Sequence, residues 1–210
     1  MFKGVRILVS CKWLQKEYLR IGIKMNNFRD ILEENPIVAA VKDENDLEAA
    51  LKSDIKVVFV LFGNILNIKA ISEKIASNQK IGIIHADLVE GLSSNEFALK
   101  YLKKNTDFKG IISIKPQVLR CAKKLGFIVI QRVFMIDSLS KENMKNHLVK
   151  ECDAIEILPG LLFKVIKEIS STLDKPLISG GLISEKEDVV ETLKSGATCI
   201  STTKKDIWYM

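Results

Sequence analysis

A single α/β domain closed into a lean (β/α)8 barrel of the TIM type is what the sequence predicts, and three observations predict it. Short β-branched runs alternate eight times with longer segments of helical spacing. The runs are apolar almost throughout, as parallel strands covered on both faces are. Two glycines follow the seventh run, where such barrels commonly build a phosphate site from the loops after strands seven and eight. A doubly wound sheet would place its glycine-rich turn after the first strand, and this chain has "VKDEND" there. A barrel usually takes ~250 residues. At 210 residues this one is expected to have short loops and missing helices.

"RDILEEN" (29–35) is expected to cross the barrel bottom ahead of strand one. The strand candidates are "PIVAAVK" (36–42), "KVVFVLF" (56–62), "KIGIIHADL" (80–88), "GIISIK" (110–115), "FIVIQRVF" (127–134), "DAIEILPG" (153–160), "PLISGG" (176–181) and "ATCISTT" (197–203). Between them "NDLEAALKS", "SNEFALKYLKK", "PQVLRCAKKLG", "LFKVIKEISS" and "SEKEDVVETLKSG" place apolar residues at helical spacing. Val189, Val190 and Leu193 are expected to form one apolar face. Gly126 and Gly196 stand where a helix-ending glycine is expected, just before the next strand.

With 47% apolar residues the chain is long enough for one packed domain and short for two. No apolar run approaches the ~20 residues of a membrane span. Cys11, Cys121, Cys152 and Cys199 are far apart without CxxC pairing, which fits inert thiols in a cytoplasmic protein. Only His85 and His147 could join them at a metal, so no metal site is expected. The net charge of +6 is uneven: residues 1–24 carry +5, leaving +1 for the rest. The main body's charge therefore argues neither for nor against nucleic acid. That first segment lacks the apolar core and cleavage site of a secretory signal. A basic amphipathic helix from Trp13 to Arg20 could touch a membrane or RNA; the plainer expectation is that Met25 is the start and 25–210 the domain.

Barrel chemistry sits at the C-terminal ends of the strands. Gly180 and Gly181 would turn backbone N–H groups toward a phosphate, and Ser201 and Thr202 would add backbone and hydroxyl donors. A helix start next to them would favour the same anion. His85 and Asp87 share one side of strand three by its two-residue alternation, and Lys115 and Glu156 could reach ligand hydroxyls or each other. His85 with Asp87 is a weak acid–base motif and fits a buried polar pair equally well.

Several segments resemble a known family more specifically: "IIHADLVEGLSSNEFALKYL", "GIISIKPQVLRCAKKLG", "IVIQRVFMIDS", "IEILPGLLFKVIKEI", "ISGGLISEKEDVVETLKSGA" and "ISTTKKDIW". In order and spacing, from about Asn26 to Trp208, they look like the bacterial glycerol uptake operon antiterminator regulators. The resemblance implies a regulator without cofactor or turnover. It would sense glycerol 3-phosphate and act on the mRNA leader of glycerol-catabolism operons so that a terminator hairpin does not stop transcription. Gly180, Gly181, Ser201 and Thr202 would then hold the phosphate, while His85, Asp87, Lys115, Arg132, Glu156 and Gly160 fall in family segments around it. The loops "LFGNILN" (61–67) and "LVEGLSSN" (88–95) are candidate lids, and a subunit interface could relay the signal to RNA.

For RNA, "KYLKK" (Lys100, Lys103, Lys104) and "RCAKK" (Arg120, Lys123, Lys124) end two helices that would be neighbours around a barrel. They could face leader phosphates, although cations at helix ends are ordinary dipole partners on a solvated face. The rival reading is a barrel enzyme on a small phosphorylated substrate, an isomerase, aldolase or transferase, with Lys115 forming a Schiff base and Glu156 abstracting a proton.

Overall fold

In a computed structural model, which describes residues 27–210, eight parallel strands close into a barrel in chain order. The strands are β1 (Ile37–Val41), β2 (Val57–Val60), β3 (Ile81–His85), β4 (Gly110–Ser113), β5 (Ile128–Phe134), β6 (Ala154–Leu158), β7 (Leu177–Gly180) and β8 (Cys199–Thr202). β1 pairs with β8 through Val38 and Ser201, and that pairing closes the ring. All eight expected strands are present. The basic extension 1–24 and the choice of Met25 as start lie outside the described residues.

Helix α1 (Phe28–Glu34) precedes β1, and α2 (Glu44–Lys52) to α8 (Lys186–Lys194) follow β1 to β7. Of these, α3 (Ile68–Ser77), α4 (Glu96–Asn105), α5 (Pro116–Lys124), α6 (Ser138–His147) and α7 (Phe163–Ser170) complete the outer layer. After β8 a short 3-10 turn, Lys205–Tyr209, stands in place of an α-helix, so the expected economy falls there. Gly126 and Gly196 end their helices with φ of 76° and 103°, as the left-handed exit from a helix requires. No helix among the described residues is long and apolar enough to cross a membrane.

Each strand is buried on both sides, which explains why the runs read as continuously apolar. The outward residues Ala39, Val58, Ile84, Ile111 and Val129 pack under the helices. The inward set Val38, Phe59, Ile83, Ile112, Ile130, Ala154, Ile178 and Cys199 fills the barrel. Phe28 and Leu32 of α1 join that inner cluster beside Val38 and Val57, so the first helix stoppers the N-terminal end. Each fully buried side chain of this size contributes roughly 1.5–3 kcal/mol.

One detail of the α8 face differs from expectation. Val189 and Thr192 are buried, Leu193 is half-buried and Val190 is exposed. The Thr192 hydroxyl donates to the Gly160 carbonyl at 3.4 Å, which lets a polar residue take the inner position.

Candidate functional site

The two-residue alternation that fills the barrel also decides what reaches its mouth. Continuing each inward series by one step brings His85 on β3, Arg132 on β5, Glu156 on β6, Gly180 on β7 and Ser201 on β8 to the top inner layer. These positions change from apolar to polar together, as the floor of a site must.

Glu156 is fully buried, and Arg132 donates to it from Nε at 2.7 Å. The Ser201 hydroxyl donates to the other carboxylate oxygen at 2.6 Å. A buried carboxylate needs this much compensation to stay in a core. Nε carries the sole hydrogen bond of Arg132 among the described residues, so its two Nη groups remain unengaged. They border a cavity of about 150 Å³ whose wall includes Glu156, Gly181, Leu182, Ile183, Ser201, Thr202 and Thr203.

Four residues of that wall have unengaged backbone donors: among the described residues the N–H groups of Gly181, Leu182, Ile183 and Thr203 donate to no partner. Gly181 and Leu182 have φ of 78° and 64°, and consecutive left-handed residues are the kind of backbone that forms anion-binding concavities. A leucine in that region is strained, and such strain gathers at functional sites. The sequence marked Gly180 and Gly181; it did not mark Leu182, Ile183 and Thr203, whose contribution is backbone and carries no residue signature.

Several expected roles are corrected by these contacts. The Thr202 hydroxyl donates to the Ile183 carbonyl at 2.8 Å and Ser201 donates to Glu156, so neither hydroxyl proton is available to a ligand. The start of α8 is not vacant either. Asp188 accepts from the N–H groups of Ser184 and Glu185 at 2.9 and 3.1 Å, and these bonds hold its carboxyl below the usual range. The α8 start thus carries its own carboxylates, Glu185 and Asp188, in a capping box. Gly160 and Gly180 act by making room. A side chain on Gly160 would meet Ile183, and the Gly160 N–H ties the β6 loop to the Gly181 carbonyl at 2.9 Å.

The remaining expected residues form a second cluster at the ends of β3 and β4. Asp87 lies in a 3-10 turn (Ala86–Leu88) rather than on β3. It accepts from the Ser113 hydroxyl at 2.8 Å and the Ile114 N–H at 3.0 Å. Lys115 donates to the Ser94 hydroxyl at 2.6 Å, and its Nζ lies 3.4 Å from Asp87 Oδ1. Lys115 therefore pairs with Asp87 and not with Glu156. His85 Nδ1 is buried with no hydrogen-bond partner among the described residues, 3.8 Å from Asp87 Oδ2, and Asp87 Oδ1 has no hydrogen bond beyond its ion pair with Lys115. A buried polar atom without a partner is rare in a native interior.

Burial, and then the nearby Arg132 charge, push His85 down to about 4, against a smaller opposing pull from Asp87. Its imidazole is thus neutral at pH 7. A lowered folded-state value means the unfolded chain binds more protons between pH 4 and 6.5. Stability from this group is fully present above about pH 6.5 and falls by up to about 3 kcal/mol on descending through that window. An NMR titration of the His85 ring should show its midpoint near pH 4, and a normal midpoint would refute the burial.

The thiols behave as apolar groups. Burial raises Cys152 to about 11 and drives Cys199, inside the barrel, higher still.

The cationic helix ends divide. Lys103 donates to the Gly126 carbonyl and covers the Phe127 ring, Lys123 pairs with Asp153 at 2.6 Å, and Lys100 pairs with Glu96. Lys104, Arg120 and Lys124 make no hydrogen bond or ion pair among the described residues. Arg120 and Lys124 line a groove of about 480 Å³ with Ser94, Glu96 and Gln117, between α4 and α5.

Fold and site together define a (β/α)8 barrel whose mouth presents a buried arginine and a ring of unengaged N–H donors. Residues 37–208 match the family of glycerol-3-phosphate responsive antiterminators, and the chain belongs to that family. It is similar to YgcP of Escherichia coli K12, a curated but uncharacterised protein, at 39% identity over 85% of this chain and 94% of that one. Among solved structures it resembles the glycerol uptake operon antiterminator regulatory protein of Listeria monocytogenes at 31% identity and TM-score 0.76, covering 82% of this chain and 94% of the other. A glycerol uptake operon antiterminator-related protein of Thermotoga maritima is also 31% identical, with TM-score 0.75 and coverage of 84% and 99%.

Proposed function

We propose that the protein is a cytoplasmic sensor that binds glycerol 3-phosphate at the barrel mouth and, so loaded, acts on the mRNA leader of glycerol operons to prevent termination. The observation that carries the ligand reading is Arg132: a buried guanidinium with both Nη groups unengaged, lining one small cavity with four residues whose backbone N–H groups are likewise unengaged among the described residues. A phosphate can accept from all of these at once, and charge-assisted bonds of this kind are the strong ones. The neighbouring cluster suits the glycerol end. His85 Nδ1 lacks a partner among the described residues and Asp87 Oδ1 lacks a hydrogen bond, and a hydroxyl both donates and accepts.

Regulation then follows from linkage. The ligand shifts the protein toward whichever state binds it better, and the same free energy appears as a change in affinity for RNA. Lys104, Arg120 and Lys124 are the cations best placed for leader phosphates, since Lys103 and Lys123 are engaged in holding the barrel. Lys115 connects the two regions, because its partner Ser94 lines the α4–α5 groove.

The test is thermal unfolding with glycerol 3-phosphate, inorganic phosphate and glycerol in parallel. A ligand at 100 times its Kd stabilises by about 2.7 kcal/mol, a shift of roughly 5–10 °C at this size. Selective stabilisation by glycerol 3-phosphate is expected, and equal shifts from phosphate would refute the assigned effector. The double variant Arg120→Glu/Lys124→Glu should keep that shift, weaken leader binding and flatten its salt dependence by about two units of slope. Unchanged leader affinity would reject the patch.

A further inference from the structure

Scattered apolar side chains on a surface mean little, but a gathering of them on one face does. Thirteen large ones are exposed among the described residues; nine of these lie in connections from strand to helix or in the first turn of the following helix, and a tenth, Phe134, ends β5 at the same face. The four most exposed, Leu66, Ile136, Phe97 and Leu182, at 91, 86, 78 and 72%, are all there. In a parallel barrel every such connection is at the C-terminal mouth. The connections after β2 to β7 all contribute, and none of the thirteen lies in a connection at the opposite end. The result is a rim of exposed apolar side chains around the candidate effector cavity, set among polar ones such as Glu90, Asn95 and Asp137.

We propose that a second copy of this chain docks on the rim, mouth to mouth, and that glycerol 3-phosphate strengthens the docking. The exposed part of these side chains amounts to on the order of 1,000 Å², against ~800 Å² per partner in a stable interface and ~300–600 Å² for the largest patch on an ordinary monomer. The rim is mostly aliphatic, with Leu88 and Ile114 between the four named above. Nucleic acid bases stack on aromatic and guanidinium faces and gain little from leucine or isoleucine. A ring centred on the barrel axis can meet its own copy across a two-fold axis, the commonest symmetry of assembly. Leu182 joins the rim to the cavity: its side chain is on the rim, and its N–H is one of the unengaged donors. An anion that fixes this loop fixes part of the docking surface, and the docked copy in turn covers the anion. By reciprocity, the factor by which ligand tightens the dimer equals the factor by which dimerisation tightens ligand. The ligand dependence rests on the effector reading above; the dimer itself does not.

Sedimentation of the full chain over a range of concentrations, with and without glycerol 3-phosphate, tests this beside the variant Leu66→Glu/Ile136→Glu. Both side chains are on the surface, so the variant should fold. The expected result is a dimer whose dissociation constant falls with ligand, and dimerisation roughly 100-fold weaker in the variant. The variant should still show a smaller thermal response to the ligand. A wild-type chain that stays monomeric with saturating ligand would overturn the proposal, as would a dimer that the variant leaves intact. A variant that loses leader binding while both chains are monomeric would make the rim a nucleic-acid surface and overturn it equally. A rim-dependent dimer that is indifferent to glycerol 3-phosphate, in a protein with no thermal response to it, would uphold the dimer and sink the effector reading.

Discussion

Arg132→Met is expected to abolish the thermal response to glycerol 3-phosphate and to destabilise the barrel, and the two losses should be separable. The guanidinium does two things from one place. Its Nε compensates the fully buried Glu156, and among the described residues lining the cavity Arg132 is the only cation. Removing one partner of a buried ion pair costs about 3–5 kcal/mol, because the other is left buried and uncompensated. Losing charge-assisted bonds to a ligand, each worth about 1.5–3 kcal/mol, should weaken binding at least roughly 100-fold. A second substitution, Glu156→Gln, removes the stranded charge while an oxygen remains to accept from Ser201. Arg132→Met/Glu156→Gln should therefore recover much of the unfolding midpoint and none of the ligand response. Calorimetric unfolding of the three variants, with and without ligand, reads both. If the double variant responded to ligand as wild type does, the phosphate would not be held by Arg132.

The barrel itself was legible in the sequence because burial on two faces leaves a strong mark. Runs such as "KVVFVLF" and "FIVIQRVF" admit few polar residues until the mouth. There the alternation breaks at His85, Arg132, Glu156 and Ser201, which is why those residues could be picked out. What each does was not legible. Whether the hydroxyls of Ser201 and Thr202 face a ligand depends on acceptors 45 and 19 positions away, on β6 and in the β7 loop. Nothing local to "ISTT" records that choice. The α8 start was expected to be open to an anion, but Asp188 at its third position caps it. That signal, an acid three or four residues after "LISE", is in the sequence and was outweighed by the glycines. Leu182 is the opposite case, since no propensity assigns a leucine a φ of 64°. Likewise, helix-end lysines look alike until Asp153 and the Gly126 carbonyl are seen to engage Lys123 and Lys103.

Gly180→Ala is the second substitution with a large expected effect, and it separates two reasons for the glycine pair. Gly181 is left-handed, whereas Gly180 ends a strand in ordinary extended backbone, so alanine there has no conformational penalty. The obstacle is space. A Cβ on Gly180 would lie 2.5 Å from the Ser201 Oγ and 2.9 Å from Glu156 Oε1. The hydroxyl would have to leave, and Glu156 would lose one of its two side-chain donors. Overpacking of this kind costs about 1–3 kcal/mol, and a buried acceptor without its donor about as much again. Ser201→Ala alone should show only the second cost. Adding it to Gly180→Ala removes the clash, so the double variant should be more stable than the sum of the singles by at least about 1 kcal/mol. Its ligand response should partly return, because the unengaged N–H groups begin at Gly181 and need only the β7 and β8 loops in register. Denaturant midpoints of the four chains measure the coupling. Strict additivity would refute the clash with Ser201, and a Gly180→Ala chain as stable as wild type that no longer responds to glycerol 3-phosphate would mean that the ligand itself approaches Gly180.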